Sequence, residues 1–388
     1  MAADAARILL IAAATSTTGG GEHHVADLLR RLPDQGFSVS LCCPPGGDLT
    51  RLAESLSIPV EHVPIDRGLS LSGVRAVRSA IAHGRPHVVH AHGSRAAFYA
   101  RLGDPSAARR CVYTLHGIHV DKAGGPLRRA VLPAVERMLR SRTARFVCVC
   151  QADCAKGTAL RIVDAGRATT VYNGVELPDP VEVGRFRGEL GVAERAPLVL
   201  SVGRFEEPKD QRTLIEAWAR VSVRFPAAVL AIVGSGGLED KLRDLANERS
   251  VAHTVRFVAP RPDLRPAYTD ADIFALSSLW EGLPYVVLEA MASGLPVVST
   301  AVDGIPEAVA DRRTGLLVPP SDPRTLAEAL MWAISEPDKA ARLGAAGRAR
   351  VEAEFGLDAM VEGLAAVYRE VAGGRDNGAE TPSSTPSG

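Results

Sequence analysis

The segment with the densest chemistry is S-S-L-W-E-G-L-P-Y-V-V-L-E-A-M-A-S-G at 277–294. Glu281 falls in a loop after an apolar, strand-like run and just ahead of a helix expected to start near Pro284. Glu289 lies inside that helix, eight positions after Glu281. A helix N-terminus leaves N–H groups unpaired, so Gly282 and Leu283 mark an anion site. A carboxylate beside an anion site makes chemical sense where it meets hydroxyls or a developing cation. Sugar hydroxyls and an oxocarbenium-like centre satisfy both demands. The plainer alternative makes Glu281 a capping acid and Glu289 a surface helix residue.

A second constellation is S-V-G-R-F-E-E-P-K-D at 201–210. Arg204 follows a strand, and Lys209 comes five residues later near the start of a helix. Both cations would stand above the carboxyl ends of the strands, where open α/β sheets bind ligands. Arginine offers a fork for phosphate oxygens and lysine a compact point charge. Forty of the 45 basic residues are Arg and five are Lys, so Lys209 stands out. The alternative is a pair of solvated surface cations. A third is T-T-G-G-G-E at 17–22, where glycines let backbone N–H groups approach an anion at a helix N-terminus. A tight structural turn would account for it equally well.

The elements that must position these groups follow a strand–helix alternation. Apolar runs at 7–15, 37–43, 87–92, 111–116 and 145–150 read as strands, with a short one at 169–174. The segment 22–32 carries Val25, Leu28, Leu29 and Leu32 at helical spacing. Residues 176–196, rich in Pro, Glu, Gly and Arg, read as a connection, after which the pattern restarts at 198–203 and continues through 315–320. The fold class expected is α/β, two Rossmann-like halves with parallel sheets. A dehydrogenase is disfavoured, because no G-x-G-x-x-G occurs and no acidic residue follows the second strand in the position expected for NAD.

Length and charge agree with two domains. At 388 residues the chain can bury large cores, and 45 basic against 45 acidic residues leave no net charge, which disfavours nucleic acid as a partner. The balance is not local. Residues 1–180 hold 22 basic and 15 acidic residues, a net of +7, and the remainder hold 23 and 30, a net of −7. The six cysteines all precede residue 160 and fit neither a disulfide framework nor a usual zinc site, so they read as buried apolar groups in a reducing cytoplasm. The apolar run after Arg7 reads as a first strand and not a signal peptide. No run is long enough to span a bilayer.

Taken in order, these pieces resemble a retaining, nucleotide-sugar-dependent glycosyltransferase of family 4 with the GT-B fold (glycosyl transferases group 1). The match runs from about 7 to 371: G-G-x-E at 19–22, H-V-V-H-A-H-G at 87–93, T-L-H-G at 114–117 and N-G-V at 173–175. It continues with V-G-R-x4-K-D at 202–210 (one letter apart from the family's form), V-G-S-G at 233–236, Glu281 with Glu289, and T-G-L-L-V at 314–318. The resemblance implies two Rossmann-like domains facing each other across a cleft. Residues 1–178 with a returning helix at 360–373 would form the acceptor domain, 179–359 the donor domain, and 374–388 a disordered tail.

By the same resemblance, Arg204 and Lys209 hold the donor diphosphate as it leaves, and Glu289 binds the ribose hydroxyls. Glu281 would hold the transferred sugar near its 3- and 4-hydroxyls, with support from the 282–284 amides. Gly20 and Gly21 would close over the diphosphate, and His116 would face the sugar's C1 and its C6 hydroxyl. His90 and His92 are candidates on the acceptor or sugar side, with structural hydrogen bonding as the alternative. The base would lie near Ala259, Pro260 and Arg261. No cofactor or metal is implied beyond the nucleotide-diphosphate-sugar donor, UDP being favoured and GDP next.

One departure is Lys209-Asp210 where the family usually shows Lys-Gly; Asp210 is expected to cap the next helix. Trp280, where small or basic residues are also common, is expected either to wall the sugar pocket or to pack. Residues 126–145 carry six Arg among Val131, Leu132, Val135, Met138 and Leu139, interrupted by Pro133. A basic amphipathic helix reads as a contact with an anionic membrane, which would suit a glycan or lipid-linked acceptor at the inner face of the cell membrane. An ordinary solvated face is the alternative. Two other activities share the architecture: a nucleotide-sugar epimerase or phosphorylase, and a non-catalytic sugar-nucleotide module.

Overall fold

The structure, a computed structural model, describes residues 5–14, 19–65, 68–118, 125–179 and 181–373, with 126–128 as backbone only. The tail expected at 374–388 and Thr17 and Thr18 of the glycine-rich segment lie outside the described residues. Two compact units divide the chain: residues up to Tyr172 together with those from Met360 on, and Asn173–Ala359. Each unit is built on a parallel sheet of Rossmann-like strand order.

The first unit is built on a seven-stranded sheet: β1 (Arg7–Ala12), β2 (Ser38–Cys43), β3 (Val60–His62), β4 (Val88–His92), β5 (Cys111–Leu115), β6 (Arg145–Cys148) and β7 (Ala168–Thr170). All neighbours pair in parallel, in the order β3-β2-β1-β4-β5-β6-β7. β4 and β5 are buried along their whole length, as strands covered on both faces must be. β3 escaped the sequence pattern because it is three residues long with only Val60 half-buried. The helix Leu357–Gly373 closes this unit. Tyr368 packs edge-on against Phe37, and Glu370 pairs with Arg145.

The second unit has six parallel strands: β8 (Leu198–Val202), β9 (Val229–Val233), β10 (Val255–Val258), β11 (Ile273–Leu276), β12 (Val297–Thr300) and β13 (Leu316–Val318), in the order β10-β9-β8-β11-β12-β13. Its core gathers Leu214, Trp218, Leu230, Ile232, Leu326 and Leu330 between the sheet and its helices. The N-G-V segment belongs here because Val175 exchanges backbone hydrogen bonds with Phe355 and Leu357. Both sheets reverse strand order once, between β1 and β4 and between β8 and β11. The carboxyl ends at such a reversal leave a crevice that loops line without a crossing helix.

Pro133 does not end its helix, which runs Pro126–Leu139. Proline costs one hydrogen bond there. The helix is anchored on its inner face by Glu136, whose carboxylate accepts from the buried Arg101 at 2.8 Å. The basic stretch is therefore shorter than its sequence span of 126–145. Arg142 donates to the carbonyls of Arg101 and Asp104, and Arg145 sits on β6. Val131 and Met138 remain exposed. The six cysteines form no disulfide, five of them are buried, and Cys150 caps the helix Gln151–Ala159.

Candidate functional site

In the second unit, the loop leaving β8 carries Arg204 and turns through Glu207–Lys209. Its course is fixed by close approach to the loop after β9. Gly203 N–H donates to Val233 and Phe205 N–H to Ser235. A Cβ on Gly234 would meet the Gly203 carbonyl, and one on Gly236 the Phe205 backbone, which is why V-G-S-G is needed there. Gln211, buried, donates to the Arg204 carbonyl at 2.8 Å. Arg204 itself is largely exposed and pairs with Glu206 at 3.2 Å. Asp210 adopts a left-handed backbone at φ +43°, the conformation glycine reaches most easily, and its carboxylate accepts from Thr213 N–H. The expected helix cap is thus present.

The loop leaving β11 meets the β8 loop. Lys209 Nζ stands 2.5 Å from Glu281 Oε1, with the side chains only 18% and 12% exposed. Ser278 Oγ donates to the same oxygen at 2.7 Å, and Ser277 Oγ donates to the Lys209 and Asp210 carbonyls. Leu279 N–H donates to Pro208. Two neighbours then hold the Glu281–Gly282–Leu283 turn from outside. Asp303, at φ +42°, accepts Glu281 N–H at 2.8 Å, and Asn173 Nδ2 donates to the Leu283 carbonyl at 2.7 Å. The helix Tyr285–Ala292 starts one residue after Pro284, which has no N–H, so the amides expected of 282–284 reduce to those of Gly282 and Leu283.

Glu289 projects from that helix and accepts from Tyr268 Oη at 2.7 Å. Burial and the adjacent carboxylate hold the Tyr268 phenol well above its ordinary value, so it remains a donor. Arg261 lies away from this knot: it pairs with Glu189 at 2.6 Å and stacks over Phe186, and Ala259 and Pro260 are exposed. Lys209, Glu281, Gly282 and Leu283 are therefore interlocked, Arg204 is joined to them through the shared loop, and Glu289 and Arg261 are each held by a neighbour. Asn173, Tyr268, Ser278 and Asp303 were not singled out from the sequence as site residues. Asn173 had a signal as part of N-G-V, and Ser278 as part of the S-S-L-W-E segment.

In the first unit the carboxyl ends of β1, β4 and β5 bring together a different set. Gly20 and Gly21 open the helix Gly20–Arg31, and a Cβ on Gly21 would stand 3.2 Å from the His116 ring. His92 Nδ1 and His116 Nε2 are 3.2 Å apart, and the His24 ring lies 5.4 Å from His92 and 5.0 Å from His116, centre to centre. His90 is committed elsewhere: its ring nitrogens bond Tyr368 Oη at 2.5 Å and Thr114 Oγ1 at 2.6 Å. Burial, reinforced by neighbouring imidazoles, pushes His90, His92 and His116 well below the ordinary histidine value, so all three are neutral near pH 7. Among the described residues no group of three or more His, Cys, Asp or Glu is placed to hold a metal ion.

The comparisons match this layout unit by unit. Residues 18–178 fit the model of Glycosyltransferase Family 4, and 183–350 that of Glycosyl transferases group 1. A D-inositol 3-phosphate glycosyltransferase of Corynebacterium jeikeium is 37% identical over 196 residues, 48% of this chain and 46% of that protein. A GDP-mannose-dependent monoacylated alpha-(1-6)-phosphatidylinositol monomannoside mannosyltransferase of Corynebacterium glutamicum is 38% identical over 208 residues, 48% of this chain and 54% of that protein. The chain thus spans about half the length of these curated relatives. Anabaena HepE, solved with UDP-glucose, superposes with a TM-score of 0.82 at 22% identity, over 94% of this chain and 99% of that one.

Proposed function

We propose that this chain, which belongs to the family 4 glycosyltransferases of GT-B fold, moves a hexose from a nucleotide-diphosphate sugar to an acceptor hydroxyl with retention of anomeric configuration. The observation that carries the reading is the Lys209–Glu281 pair at the β8/β11 reversal, next to the amides of Gly282 and Leu283. Arg204 and Lys209 neutralise the diphosphate as the sugar–phosphate bond breaks, an electrostatic role that needs no metal. Glu281 then holds the transferred sugar's hydroxyls, and Glu289, oriented by Tyr268, takes the ribose hydroxyls. Gly20, Gly21 and His116 are the first unit's contributions, and Arg261 marks the base side. The leaving phosphate serves as base for the incoming hydroxyl, which attacks from the same face.

UDP is the favoured donor base and GDP the next. The acceptor is a glycan or a lipid-linked or envelope precursor, taken up by the first unit on the inner face of the cell membrane. Exposed Val131 and Met138, seven residues apart and so on one side of the 126–139 helix, mark its membrane-facing strip. No helix among the described residues is long and apolar enough to cross a bilayer. Acceptor-dependent release of UDP or GDP, undiminished by EDTA, tests the activity. Release of nucleotide without any acceptor requirement would overturn it in favour of an epimerase or hydrolytic reaction. Flotation with anionic liposomes at low salt tests the membrane strip, and failure to float removes it.

A further inference from the structure

The first unit holds two imidazoles whose protons are not independent. β4 and β5 pair in parallel with His92 opposite Thr114, which brings the ends of the two strands, and hence His92 and His116, side by side. Their rings are nearly parallel, 22° apart, with Nδ1 of His92 facing Nε2 of His116 at 3.2 Å. The other two nitrogens, His92 Nε2 and His116 Nδ1, are buried and meet no hydrogen-bonding partner among the described residues. A neutral imidazole carries one N–H and one lone pair. The contact between the rings uses one proton, and only two arrangements satisfy it.

In the first, His92 Nδ1–H donates to His116 Nε2, so His116 carries its own proton on Nδ1 and His92 Nε2 is bare. In the second, His116 Nε2–H donates to His92 Nδ1, so His116 Nδ1 is a bare acceptor and His92 carries its proton on Nε2. Both rings hold the same tautomer in either arrangement, and neither can switch alone. His90 does not share in this, because Tyr368 and Thr114 already occupy both of its nitrogens. A second proton on the pair would put a cation among the rings of His24, His90 and their neighbours, away from water.

We propose that His92 is a positioning residue that sets the tautomer of His116, and so decides whether His116 Nδ1 gives or accepts a hydrogen bond. The consequence for turnover rests on the reading of His116 as a group that touches the transferred sugar. The hydrogen-bond arrangement itself does not rest on it. A single tautomer presents one fixed polarity to a sugar hydroxyl, whereas a freely exchanging ring spends part of its time in the wrong state.

Long-range proton–nitrogen spectra of the whole 15N-labelled chain read the tautomers directly. Near pH 7 the wild-type chain should show one pyrrole-type and one pyridine-type nitrogen in each of His92 and His116, at the same ring position in both. Opposite tautomers in the two rings, or a cationic His116, would overturn the proposal. In His92→Phe the His116 nitrogens should move to the averaged shifts of two exchanging tautomers, while His90 keeps its own pattern and so reports an intact fold. In His92→Asn the amide stands where ring Nδ1 stood and should restore a single tautomer. Unchanged His116 shifts in His92→Phe, or no restoration in His92→Asn, count against it.

With a donor and acceptor that turn over, His92→Phe should lower kcat about tenfold with the donor KM within about threefold, and His92→Asn should recover most of the loss. A rise in KM alone would mean that His92 acts as packing. If no nucleotide sugar turns over, the function proposed above fails while the spectra still decide the histidine pair.

Discussion

At the carboxyl ends of β8 and β11 the second unit presents formal charges on loops: Arg204 largely exposed, and Lys209 locked to Glu281 under partial cover. At the ends of β1, β4 and β5 the first unit presents neutral imidazoles, His92 buried on β4 and His116 half-buried just after β5, with His24 against them. The strand order around the reversal is the same in both sheets. The topology therefore supplies a place, and the side chains decide its chemistry. Permanent cations suit a diphosphate whose charge grows as it leaves. Neutral imidazoles suit hydroxyls, which need a donor and an acceptor in fixed directions. The charge asymmetry along the chain has the opposite sign: the unit proposed to hold the phosphates lies in the −7 part. A few placed cations, and not bulk charge, are what the proposed donor would meet.

The hardest blow to this comparison is removal of a cation. Arg204→Ala and Lys209→Ala should each lower kcat by about 10³-fold or more, the scale of losing a preorganised electrostatic contact in a transition state. Lys209→Ala should cost stability as well, because it strands Glu281 partly buried without its partner. Near-wild-type turnover in either variant would show that the second unit does not handle the phosphates. Steady-state kinetics with thermal unfolding in parallel separates the two effects.

The next test exploits the neutral histidines. A histidine held below its ordinary value in the folded state binds fewer protons there than when unfolded. Stability gained at high pH is therefore lost as pH falls below the unfolded value of about 6.5, with a limiting slope of about 1.4 kcal/mol per pH unit for each such group. His90, His92 and His116 all contribute in the same direction, and all belong to the first unit. The second unit has a single histidine, His253, which is exposed. Amide hydrogen exchange between pH 7.5 and 5.5 should show the first unit's slowest amides losing protection well beyond those of the second. Equal losses in both units would mean that the imidazoles are not what distinguishes them.

The strands and the charged motifs are legible in the sequence because both are local. Alternating apolar runs and glycine-rich turns announce parallel sheets, and Arg204, Lys209, Glu281 and Glu289 sit at fixed offsets from strand ends. Contact between distant segments is not legible there. Glu281 is held by Lys209, 72 residues away, and the Leu283 carbonyl by Asn173, 110 residues away. Tyr268 orients Glu289 from a neighbouring helix. Nor can a strand pattern distinguish His90 from His92, two residues apart on one face, because the partners that saturate His90 come from β5 and from the helix that returns near the end of the chain.

Asn173 gives a smaller and more local test. Asn173→Ala removes the buried donor to the Leu283 carbonyl and should cost about 1–2 kcal/mol. It should also raise the donor KM, because the Gly282–Leu283 turn loses a brace. A variant that loses stability with an unchanged donor KM would show that the turn is held well enough by Asp303 and Gly304 from the other side.

The smallest effect is expected at Asp210, where two requirements coincide on one residue. Its backbone is left-handed, which favours glycine, and its carboxylate caps the helix Gln211–Arg224 through Thr213 N–H. Asp210→Gly relieves the backbone and loses the cap. Glycine at a cap costs only a few tenths of a kcal/mol relative to aspartate, so stability and turnover should both stay close to wild type. Asp210→Ala loses the cap and keeps the unfavourable φ, and should cost about 1–2 kcal/mol. Because Lys209 precedes Asp210 and its carbonyl accepts from Ser277 Oγ, that strain should pass to the Lys209–Glu281 pair. Asp210→Ala should therefore lose some kcat where Asp210→Gly does not. Equal behaviour of the two variants would mean that the carboxylate alone, and not the backbone conformation, holds Lys209 in place.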